Sequence, residues 1–147
     1  MLSNLEIVKN QFLQDQFAQK MGIFLDELTS QFIRMHMLLS PEMNNLFGRP
    51  HGGAIFALAD AAFGVLGNNG NNISVAVDSS ISYHNSPTPG STLWVEGELL
   101  SESKKIGSYL FRLYTQDERN KAKINIATMK STLYRTGKPI KEEEEKN

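Results

Sequence analysis

The chain has 147 residues, a formal net charge of −1 and no cysteine. That length suits one domain with a real core, and the balanced charge offers no basic surface for nucleic acid. The missing cysteines exclude disulfides, thiolate metal sites and a cysteine nucleophile, and they fit a reducing cytoplasm. The start, MLSNLEIVKNQ, lacks the basic residues and apolar run of a signal peptide. The longest apolar run is shorter than the ~20 residues that cross a bilayer. A cytoplasmic protein without a membrane partner is expected. Ser3-Asn4-Leu5-Glu6 matches a capping box, and Leu5, Val8 and Phe12 recur at helical spacing. The pattern predicts a first helix over 3–20.

Met21–Leu39 reads as extended chain, with two strands ending in Phe32-Ile33-Arg34-Met35-His36-Met37-Leu38. His36 has no second ligand at metal spacing and reads as a strand-face histidine. Ser40–Pro50 is a polar loop in which Asn44 and Asn45, taken alone, read as turn formers. After the central segment, Gly67–Asn72 is a stop. Ile73, Val75, Val77, Ile81 and Tyr83 then alternate on one face of a long strand, and Asp78 lies on the other. Further strands are predicted at Thr92–Leu100, Ser108–Gln116 and Ala122–Arg135. Their short connections favour antiparallel neighbours. One domain over 1–137 is expected, followed by a charged tail at 138–147.

The segment that organises the chain is Arg49–Asn68, RPHGGAIFALADAAFGVLGN. Its alanines favour helix, and a helix apolar all round is normally buried on all sides. Asp60 is its one charge, and a buried carboxylate is paired, protonated or functional. No Ser, Thr or Asp caps the helix at His51-Gly52-Gly53. Its first N–H groups are therefore expected to be free, at an end carrying partial positive charge. Such an end suits an oxyanion. The elements sum to a curved antiparallel sheet around one buried helix, about 52–67. Exposed sheet edges favour a dimer.

Asn45, Gly48, His51-Gly52-Gly53 and then Asp60 within an apolar helix resemble the hotdog-fold acyl-CoA thioesterases of the PaaI-like, or 4-hydroxybenzoyl-CoA thioesterase, superfamily. The strand Val77–Tyr83 and the turn with Pro87, Pro89 and Gly90 are similar as well. The resemblance covers about Met21 to Thr136. It implies an α+β hotdog fold with an added N-terminal helix, and a hydrolase acting on a coenzyme A thioester as substrate, with no metal and no other cofactor. It implies that the Gly52 N–H binds the thioester oxygen with Gly53 alongside. By the same resemblance Asp60 would act as general base or nucleophile, Asn45 would hold the thioester or the attacking water, and His51 would orient the loop or the carbonyl. It further implies a homodimer or homotetramer whose active site lies at the dimer interface, Asp60 coming from the neighbouring subunit. Phe56 and Phe63 would line the acyl pocket. Lys105, Gly107 and Ser108 would meet the coenzyme A phosphates, against the bland reading of Lys104 and Lys105 as solvated turn lysines. The alternative is a non-catalytic acyl-CoA-binding hotdog protein, and a hotdog dehydratase is disfavoured by Asp60 at the centre of the helix.

Overall fold

The computed structural model describes residues 1–70 and 72–140. The acidic end of the expected tail, 141–147, lies outside the described residues. The chain opens with two helices, α1 (Asn4–Leu13) and α2 (Gln16–Met21), in place of the single helix expected over 3–20. The capping box at Ser3 and Glu6 is formed in both directions. The break comes from Asp15, whose carboxylate accepts the Ala18 N–H at 3.0 Å and starts a new helix. Gly22, at φ 71°, ends α2 in the left-handed region, where glycine carries no Cβ penalty.

Strands β1 (Ile23–Leu28), β2 (Phe32–Leu38), β3 (Ser74–Tyr83), β4 (Thr92–Glu102), β5 (Ile106–Gln116) and β6 (Lys123–Arg135) form one antiparallel sheet. Its order is β1-β2-β4-β5-β6-β3. A third helix, α3 (Gly52–Gly67), lies against the inner face of the sheet and touches β2 through β6. Ile33, Met35, Met37, Leu93, Val95, Phe111, Leu113, Met129 and Leu133 point from the strands to Ile55, Leu58, Ala62 and Leu66 of the helix. All are buried, so alternate residues along β2, β4, β5 and β6 supply the core. A Cβ on Gly97 would sit 2.4 Å from the Phe111 ring, so glycine alone leaves room for that ring.

The even alternation expected along β3 is broken. β3 pairs with β6 through Ala76–Leu133 and then Asp78–Thr132, which leaves Val77 as a bulge. One extra residue inverts the parity of everything beyond it. Ser79, Ile81 and Tyr83 pair with inward Ser131, Met129 and Ala127, whereas Val75 pairs with exposed Tyr134. The single face read from Ile73 to Tyr83 is therefore two faces.

The expectation that α3 is buried on all sides also gives way. Gly53, Asp60 and Gly64 are exposed and Ala57 half-buried, at spacings of three or four that make one stripe along the helix. Nine residues of the helix, among them Ile55, Leu58, Ala62 and Leu66, are buried.

Candidate active site

The site gathers at the start of α3. The loop before it is tied down from both sides. Asn45 accepts the N–H of Phe47 at 2.9 Å and of Arg49 at 3.2 Å on one side-chain oxygen. Its own N–H donates to the Arg49 carbonyl at 2.7 Å. Arg49 reaches across to the turn after β3, donating to Ser86 Oγ at 3.0 Å and to the Pro87 carbonyl at 3.1 Å. The Asn45 oxygen is thus spent on shaping the loop. Its amide nitrogen, with two donors, remains for other work. Asn44 Oδ1 is buried without a partner.

His51 is the N-cap of α3, which corrects the reading of an uncapped helix. Its Nδ1 accepts the Gly53 N–H at 3.1 Å. A ring nitrogen that accepts carries no hydrogen, so in this contact the ring can donate only from Nε2. Gly53 makes this fold-back possible, because an added Cβ would lie 3.3 Å from that nitrogen. The Ala54 and Ile55 N–H groups both turn to the His51 carbonyl. Of the first helical N–H groups, that of Gly52 is left with no acceptor among the described residues. The Gly52 carbonyl accepts the Tyr83 hydroxyl at 3.1 Å, which pins the first turn to the end of β3. Sequence reasoning missed Tyr83 and Arg49 as positioning groups. The β3 bulge conceals the inward parity of Tyr83, and the Arg49 contacts span 37 and 38 positions of sequence.

Asp60 lies on the open stripe of α3. Burial raises its pKa above the usual carboxylate range, and the charge of Asp15 pushes it the same way. Solvent still reaches the side chain in a single chain, so the raised value reflects partial desolvation. Gly52 and Asp60 are eight positions apart, which at 1.5 Å per residue separates them by ~12 Å along the helix.

The remaining sequence-predicted residues sit elsewhere. Phe56 is half-buried on α3. Phe63 is buried, packed on Tyr109 and Phe111 with ring centroids 5.7 and 5.8 Å away. Lys105, Gly107 and Ser108 lie at the β4–β5 turn and the start of β5. Gly107 pairs with Leu133, whose side chain lies against Gly67 at the last turn of α3. Within one chain they are at the opposite end of α3 from Gly52. Gly107 is buried and faces the Tyr109 ring, which an added Cβ would meet at 2.8 Å. Among the described residues, no three His, Cys, Asp or Glu side chains are grouped to hold a metal ion, and no helix is long and apolar enough to cross a membrane.

Residues 47–122 match the family model of the thioesterase superfamily. The chain belongs to that superfamily. It is 27% identical over 124 residues to a putative esterase of Archaeoglobus fulgidus, covering 84% of this chain and 77% of that protein. It is 27% identical over 108 residues to the acyl-coenzyme A thioesterase PaaI of Escherichia coli, covering 74% of this chain and 77% of the relative. The solved structure of E. coli PaaI superposes with a TM-score of 0.85 at 22% identity, over 94% of this chain and 96% of that one. A Streptococcus pneumoniae hypothetical thioesterase solved with coenzyme A superposes with a TM-score of 0.77 at 19% identity, over 89% and 98%. The chain has the hotdog fold and is a PaaI-like thioester hydrolase.

Proposed function

We propose that the protein hydrolyses acyl-CoA thioesters in a site completed by two subunits. The observation that carries this reading is the start of α3, where capping by His51 takes the Gly53 N–H and leaves the Gly52 N–H alone at the positive end of the helix. That donor accepts the thioester oxygen as it gains charge. Preorganised donors of this kind are worth about 10²–10³ in rate. Asp60 delivers the attack, either by taking a proton from water or by adding to the carbonyl carbon itself. In both routes a C–O bond forms, the C–S bond breaks, and coenzyme A leaves as a thiolate that takes up a proton; in the second route water then cleaves the acyl–Asp60 anhydride, releasing the acid and restoring the carboxylate. The Asn45 amide nitrogen donates to the attacking water or to the thioester.

The ~12 Å of helix between Gly52 and Asp60 of one chain favours pairing Gly52 of one subunit with Asp60 of another. The exposed stripe of α3 is the surface that such a partner covers. Assignment of coenzyme A as the carrier rests on the resemblance to PaaI and to the S. pneumoniae protein solved with it. Lys105 and Ser108 are assigned to its phosphates, as charge-assisted donors from a partner's hairpin.

Steady-state hydrolysis by Asp60→Asn tests the reading. The amide keeps the shape and loses the base, so turnover falls by about 10²-fold or more while circular dichroism and acyl-CoA binding stay as in the wild type. Turnover within a few-fold of wild type would remove Asp60 from the chemistry.

A further inference from the structure

Beside Asp60, an open cleft of about 320 Å³ separates the N-terminal helices from α3. Its walls include Val8 and Phe12 of α1, Asp15 at the α1–α2 junction, and Ala61, Gly64 and Val65 of α3. Ala61 follows Asp60 directly, and Gly64 lies one turn beyond it on the same exposed stripe. Asp15, which lines the cleft, is close enough for its charge to act on Asp60, so the cleft lies toward the face of α3 that carries Asp60. Its volume falls at the lower end of the ~300–1,000 Å³ typical of small-molecule sites. A Cβ on Gly64 would meet nothing within 4 Å, so the space over this glycine is open within one chain. Gln11, Asn68 and Ile140 complete the lining, and Asp15 adds a carboxylate, with one oxygen committed to the Ala18 N–H.

We infer that this cleft is the acyl-selectivity pocket, and that it takes an uncharged acyl group larger than acetyl. The inference rests on the proposed thioesterase reading and adds the substrate class to it. Val8, Phe12, Ala61 and Val65 bury the acyl tail, and the gain grows with each methylene removed from water. Asp15 repels tails that end in a carboxylate, since a second anion there would face both Asp15 and Asp60. On this account the N-terminal helices are part of the substrate site, outside the sheet-and-helix unit that holds the reacting atoms.

The test is a kcat/KM profile over acetyl-, octanoyl- and succinyl-CoA, measured for the wild type and for Gly64→Leu, Val8→Ala and Asp15→Asn. Wild type favours octanoyl over both others. Gly64→Leu fills the cleft and lowers the octanoyl-to-acetyl ratio about tenfold or more, and Val8→Ala, from the opposite wall, raises it. Asp15→Asn keeps the helix cap, because Asn caps as well as Asp, and raises the succinyl-to-acetyl ratio about tenfold. Octanoyl-to-acetyl ratios unchanged in both Gly64→Leu and Val8→Ala, with octanoyl-CoA still hydrolysed, would overturn the pocket and leave the thioesterase reading standing. Hydrolysis of none of the three by the wild type would overturn the thioesterase reading, and the pocket with it.

Discussion

Which donors at the start of α3 are already taken decides what the site can do. Asn45 separates two roles on one side chain: its oxygen holds the loop through Phe47 and Arg49, and its nitrogen faces outward from that task. Asn45→Asp keeps an oxygen for both backbone N–H groups and removes the donor. It is expected to retain the fold and thermal midpoint while losing about 10²-fold in kcat. A kcat near wild type, with damage from Asn44→Ala instead, would move the role to the neighbouring residue. Asp60 gives a pH prediction. Its pKa is raised by burial first and by the Asp15 charge second, and the proposed mechanism works through the carboxylate. The acidic limb of kcat/KM therefore lies above the ordinary carboxylate range, and Asp15→Asn moves it to lower pH. The stability linkage has the same origin. A carboxyl whose folded pKa is raised binds more protons folded than unfolded between the two values, so it favours folding at low pH and opposes it as pH rises through the raised value. At neutral pH, Asp60→Asn should therefore raise the thermal midpoint. Asp60 was legible as a lone charge in an apolar helix and Gly52 as part of its start, whereas Asn45 and His51 stood out only through the family resemblance, since Asn45 alone reads as a turn former. The sequence did not show that His51 itself caps the helix, since histidine is not among the usual N-caps.

Among the elements, lengths and order were largely legible from turn residues and alternation: β4, β5 and β6 differ from expectation only at their ends. Two of the failures are of one kind. A single side chain or one extra residue redirected a regular pattern. Asp15 splits the N-terminal helix because its carboxylate competes locally for the Ala18 N–H. Val77 bulges out of β3 and reverses the faces on either side of it. Neither change alters the count of apolar residues, so periodicity alone could not find it. The close approach at Gly97 offers a direct check on the packing. Phe111 is fully buried, and Ile33 stands 3.0 Å from the same added Cβ. Gly97→Ala is expected to destabilise the protein by about 1–3 kcal/mol through overpacking, seen as a lower urea midpoint with an unchanged slope. An unchanged midpoint would mean that β4 and β5 can separate at this point without cost.

For the whole molecule, the sheet ends in two edge strands, β1 and β3, each paired on one side. At one edge, β1 carries an irregularity between Leu25 and Glu27, a feature that discourages further pairing. At the other, β3 runs ten residues without proline and exposes Val75 and Val77. Together with the open stripe of α3, this edge suits pairing with a second copy. The claim at the centre of the account is that Gly52 and Asn45 of one subunit work with Asp60 of another. Subunit mixing tests it most directly. Asp60→Asn and Asn45→Asp proteins, each inactive alone, are dissociated together and reassembled, with mixed dimers verified by native mass spectrometry. Each mixed dimer then contains one undamaged site, and with random assembly about a quarter of wild-type activity per subunit should return. Proven mixed dimers without activity, or a monomer in dilute solution with full activity, would contradict the shared site.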